Sequence, residues 1–198
     1  MERRKLESAA ANYSYLRGLL SIPLGVVLIV AALGNWEWGP FRHAWVFVGC
    51  VLAAGGACLV IVRYYNENYG RITPSTELEL RAVVAGVVGL AVMGGVTLMA
   101  RSQADWSLDL PVNSTAAGIA VFMLTYYALT VGLSAHHVII WCAVLVAGLC
   151  PVWDGADPSN IGLVIAGVAA MATGIFDHRL LARTIGPTNG LNLEHGNA

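Results

Sequence analysis

Side chains able to do acid–base or ligand chemistry are scarce in this 198-residue chain, and they gather in a few places. The sharpest groups are Asp177-His178-Arg179 and His136-His137, with Arg17, Arg63 and Arg81 also at the ends of apolar runs. A carboxylate at the edge of a low-dielectric medium needs a cationic partner, because desolvating an unpaired charge is costly. An interhelical network joining Asp177 to these arginines is therefore expected. No metal site is expected, because neighbouring residues on a helix point about 100° apart. By that argument His136 with His137, or Asp177 with His178, makes a poor chelating pair.

The segment Arg63-Tyr64-Tyr65-Asn66-Glu67-Asn68-Tyr69-Gly70-Arg71 forms a second group. Gly70 suits a helix C-cap, and Thr76 with Glu79 three residues on matches a capping box that starts the next helix. Tyr64, Tyr65, Tyr69 and Arg71 of this elbow could line a ligand or partner site. Their plainer role is an aromatic belt with snorkelling cations. The four cysteines fall into two pairs, Cys50 with Cys58 and Cys142 with Cys150, each eight residues apart. Eight residues are about 12 Å of helix, too far for a disulfide or a shared ion within either pair. Small apolar packing residues are the simplest reading, although Cys50 and Cys150 could meet between helices. H-E-x-x-H, G-x-S-x-G, a P-loop and C-x-x-C are all absent, so neither enzymatic activity nor a cofactor is expected. Asn113-Ser114-Thr115 matches a glycosylation sequon but, lying so near an apolar run, reads as unmodified.

The elements that must position these groups are membrane helices. Stretches 18–36, 44–62, 82–100 and 158–176 contain no Asp, Glu, Lys or Arg, and 110–153 runs 44 residues without one. Nineteen helical residues reach about 28 Å, close to the ~30 Å hydrocarbon core of a bilayer. With 57% hydrophobic and 12% charged residues, the chain falls outside the soluble globular classes. The expected fold is all-α, a polytopic membrane protein of six transmembrane helices at roughly 15–34, 44–64, 80–100, 113–132, 136–152 and 160–177. Three helical hairpins in series are a further expectation, since Trp36-Glu37-Trp38, Asp105-Trp106 and Trp153-Asp154 each set tryptophan beside an acid. Pro23 should kink the first span.

Polar groups within the spans reduce to Thr97, Thr125, Tyr126, Tyr127, Thr130, Trp141 and Thr173, which suit hydrogen bonding between helices. The span interiors, away from their ends, hold no Asp, Glu, Lys or Arg, which argues against a carboxylate-based proton-coupled carrier. Gly162, Ala166, Ala170 and Gly174 recur every four residues, a small-residue strip fit for close helix packing. Gly49, Ala53 and Ala57 repeat the pattern in the second span.

Nine of the eleven Lys and Arg residues fall on one side of this topology, with Arg42 and Arg101 on the other. By the positive-inside rule both termini are cytoplasmic, in the plasma (inner) membrane. Arginine outnumbers lysine ten to one, a bias of GC-rich bacterial genomes. Residues 1–14 read as a cytoplasmic segment, 15–184 as the transmembrane domain and 185–198 as a disordered cytoplasmic tail. The expected function is a non-enzymatic accessory, scaffold or sensor-like subunit working through helix packing. Its partners would be the lipid bilayer and either another membrane protein or a second copy of itself, with no nucleic acid. A small transporter or channel for an uncharged or apolar solute is the alternative, and an intramembrane enzyme the third.

Overall fold

The computed structural model describes residues 17–69, 76–102, 113–130, 132–149 and 158–184. The expected terminal segments 1–14 and 185–198 lie outside these, as do Arg71, Trp106, Cys150 and Trp153. The described chain is all-helical. Its α-helices are α1 (Ser21–Asn35), α2 (Ala44–Asn68), α3 (Thr76–Ser102), α4 (Ser114–Leu129), α5 (Ala135–Leu149) and α6 (Pro158–Thr184). Short 3₁₀ turns, Gly18–Leu20 and Gly39–Arg42, precede α1 and α2.

Three segments, Gly18–Asn35, Ala44–Asn68 and Asn160–Thr184, are long and apolar enough to cross a membrane. At 16 and 15 residues, α4 and α5 reach only about 24 and 22 Å as helices. The turn between them sets their facing ends. Gly132 adopts φ +83° and its N–H donates to the Tyr127 carbonyl at 2.9 Å, closing α4 at a residue without a Cβ.

Pro23 does not kink a helix already under way. It is the third residue of α1, in the first turn, where its missing N–H costs the α-helix no hydrogen bond of its own. The departure from regular geometry falls just before it, as the 3₁₀ turn Gly18–Leu20.

The bundle is organised around α6, which packs against α1, α4 and α5, while α3 flanks α4 and α2 flanks α1. Consecutive helices α2 and α3 do not pair among the described residues, and the strongest association joins the first helix to the last. Each of the three expected hairpins pairs, α1 with α2, α3 with α4 and α5 with α6, but among the described residues α2 and α3 lack the contact that α4 makes with α5, so the hairpins are not related alike.

The α1–α6 seam has a simple sequence basis. Gly18 and Gly25 lie seven residues apart, as do Gly167 and Gly174. The helices run antiparallel, so Gly18 meets Gly174 and Gly25 meets Gly167. A Cβ at Gly25 would stand 2.5 Å from the Gly167 carbonyl oxygen, and one at Gly167 would stand 2.6 Å from that of Gly25. Ala32 continues the row at 0% exposure, and Asn35 Nδ2 donates to Asn160 Oδ1 at 2.8 Å to close the far end. Seven-residue spacing is the period of left-handed helix pairing, and small residues bring the backbones together.

The four-residue strip on α6 does not serve a single neighbour. A step of four residues drifts about 40° around a helix, so three steps rotate it by about 120°. Gly162 faces the Asn113 side chain at the start of α4, Ala166 and Ala170 are buried, and Gly174 faces the Gly18 turn. Ala170 belongs to the main core with Ala116, Ala120, Tyr127, Trp141 and Val144.

Candidate functional site

The buried ionisable side chains converge at the Gly18–Gly174 end of the bundle. Asp177 lies about 26 Å along α6 from Asn160, the length of a membrane crossing. Its carboxylate is 3% exposed, and its partners are not arginines. His136 Nε2 lies 2.8 Å and His137 Nε2 2.9 Å from the same oxygen, Asp177 Oδ1. Both histidines sit in the first turn of α5, whose unpaired N–H groups favour a facing negative charge.

The two histidines, expected to make a poor chelating pair, converge on one oxygen. Their Cα–Cβ bonds diverge, but each imidazole has two torsions that bring Nε2 back to a common point. The ring centroids are 4.1 Å apart. Packing fixes the pair: His137 stacks on Tyr127 at 3.9 Å and an interplanar angle of 15°, and His136 lies 6.0 Å from the Phe176 ring. The Tyr127 hydroxyl faces Ser21 at the start of α1, behind the site. His137 is 1% exposed and His136 22%, so the group has a sealed wall and an open edge. His137 Nδ1 and Trp141 Nε1, one turn apart on α5, are buried with no partner among the described residues.

The arginines have other partners. Arg63 pairs with Glu67 at 2.7 Å and Arg81 with Glu77 at 3.4 Å, each one turn along its own exposed helix face. Arg17 donates to Asn66 Oδ1 at 3.2 Å, and Arg179 is exposed.

His178 joins a different group, the tyrosines of the elbow. Tyr64, Tyr65 and Tyr69 surround it with ring centroids 6.3, 5.8 and 6.5 Å away. The Tyr65 hydroxyl accepts from Leu19 N–H at 3.2 Å and lies 3.0 Å from His178 Nδ1. Tyr65 is 0% exposed and Tyr69 7%, so two of the three rings are core, packed with Leu181, rather than a belt facing lipid. One hydroxyl thus links the turn before α1, the end of α2 and α6.

The remaining polar residues of the spans are largely satisfied locally. Thr130 and Thr173 bond carbonyls one turn back on their own helices. Asn113 is 2% exposed, caps α4 by accepting from Ala116 N–H at 3.1 Å, and donates its own N–H to the Gly148 carbonyl. Those contacts leave no room for a glycan at the sequon. Cys50, Cys58 and Cys142 are free thiols.

Chemically, the site offers two imidazole nitrogens and a carboxylate oxygen, all within 4.8 Å of one another. Such a set can share protons or hold a cation. No protein family, curated protein or solved structure matches this chain, so its own geometry carries the functional argument.

Proposed function

We propose that the chain is a non-enzymatic, multi-pass membrane subunit that works by packing a helix against a partner. The carrying observation is α2, the most apolar of the long helices, with none of its spanning window buried inside the protein. Val48, Leu52, Leu59 and Val60 are exposed along it, a surface no water-soluble protein leaves bare. Lipid alone would satisfy those residues, but it gives no reason for glycines among them. Gly49, Gly55 and Gly56 each have open space within 4 Å of a Cβ position. A glycine in a helix costs about 1 kcal/mol relative to alanine. In a membrane that cost is offset where another helix approaches closely.

In this reading α3, α4 and α5 also cross, giving six spans, and the nine-to-two distribution of Lys and Arg puts both termini in the cytoplasm of a bacterial inner membrane. The occupant of the α2 face is a transmembrane helix of another membrane protein or of a second copy. Extraction from native membrane with its surrounding lipid should yield a particle heavier than one protomer. A uniform single protomer contradicts the proposal.

A second reading is favoured by one observation. An apolar cleft of about 510 Å³ separates α1 from α2, lined by Pro23, Val26, Cys50, Ala53, Ala57 and Ile61 among others. Its size suits a small apolar solute or an acyl chain. Mass spectrometry of co-extracted small molecules decides this: a stoichiometric apolar ligand supports it, and bulk lipid alone removes it.

A further inference from the structure

We infer that His136, His137 and Asp177 form a binding site for a divalent transition-metal ion of the zinc type. The inference stands apart from the assembly reading, because it rests on α5 and α6 rather than on α2. Three features carry it.

The first is the donor set. Two imidazoles and one carboxylate make up a common three-ligand environment for zinc, which leaves a fourth position for water or a ligand. Magnesium and calcium prefer all-oxygen sites, so the two nitrogens select against them.

The second is charge. Asp177 is buried, and its partners among the described residues are two imidazoles, while Arg63 and Arg81 pair with carboxylates on their own helices. Both Nε2 atoms share one carboxylate oxygen, so each imidazole donates Nε2–H there. A bound cation would meet the buried carboxylate's charge directly, each imidazole moving its proton from Nε2 to Nδ1 so that the Nε2 lone pair faces the ion.

The third is pre-organisation with access. Tyr127 and Phe176 hold the rings, and the sealed His137 side contrasts with the 22% exposed His136 edge, which gives an ion a route in. Ligand atoms around a tetrahedral zinc at about 2.0–2.1 Å stand roughly 3.4 Å apart. The present nitrogen–oxygen separations of 2.8 and 2.9 Å therefore need to open by about half an ångström, which ring rotation supplies.

The test uses the full-length protein in lipid nanodiscs, with any affinity tag removed, stripped by chelator and titrated with Co²⁺. The expected result is one ion per protomer, with visible d–d bands of a four- or five-coordinate site that Zn²⁺ abolishes. His136→Gln and His137→Gln should each weaken binding by more than about tenfold, since even outer-shell changes cost that much. His178→Gln and His195→Gln should not. Asp177→Asn should behave like the two histidine variants. If it fails to fold, His136→Gln at the exposed edge carries the same readout. A wild-type protein that takes up no ion overturns the inference, and so does binding unchanged in both His136→Gln and His137→Gln.

Discussion

Asp177 shows how one buried charge organises the residues around it. It recruits two imidazole rings from the start of α5, and those rings lie against aromatic side chains from α4 and α6. Tyr65 does comparable work with a single hydroxyl, meeting a backbone N–H on one side and His178 on the other. Removing that hydroxyl leaves a partly buried donor and an imidazole nitrogen without their partner. Tyr65→Phe should therefore lower unfolding stability by about 1–3 kcal/mol. Tyr64→Phe, at a 40% exposed ring, should stay within about 0.5 kcal/mol. Denaturant unfolding in micelles compares the two, and equal effects would refute the role given to Tyr65. The importance of Asp177 was legible in the sequence, since a carboxylate ending an apolar run needs partners. Its histidine partners were not, because a helical wheel orients Cβ atoms and says nothing of ring torsions. The meeting of His178 with the elbow tyrosines joins positions 113 residues apart, and no local pattern announces it.

At the scale of elements, close approach rather than apolar area decides which helices pair. Without water between helices in a bilayer, van der Waals packing drives association. The glycine pairs at 18 with 174 and 25 with 167 let α1 and α6 touch backbone to backbone. Gly25→Ala should cost about 1–3 kcal/mol through overpacking. Gly56→Ala, with nothing of its own protomer within 4 Å, should gain up to about 1 kcal/mol of helix propensity in the separated protomer. Unfolding curves of the two variants should move in opposite directions, and a parallel shift would refute the seam. The strip on α6 was visible in the sequence as a four-residue repeat, whereas the seam itself follows a seven-residue repeat shared by two helices. Recognising it required knowing which helices are antiparallel neighbours. Pro23 misled for a related reason: its effect depends on where the helix starts, and the 3₁₀ turn moved that start forward to Ser21.

For the whole molecule, the sequence already carried the all-helical, membrane-compatible character in its charge-free runs, since desolvating charge forbids any other reading of them. Arrangement was less legible, because apolar faces touching lipid and apolar faces touching protein look alike in composition. Reporter fusions after Trp106 and after Arg183 should signal from opposite sides of the membrane under the six-span topology, and same-side signals would refute it. On the proposed reading, the buried polar end of the bundle holds the protomer together and the bare α2 face meets a partner. The most direct test compares wild type with Gly49→Leu and Gly56→Leu, extracted with native lipid, for particle mass and unfolding midpoint together. The account predicts a wild-type particle heavier than one protomer and variants that fall to a single protomer with undiminished stability. A wild-type protein that is already a single protomer, or variants that keep the full assembly, would contradict it.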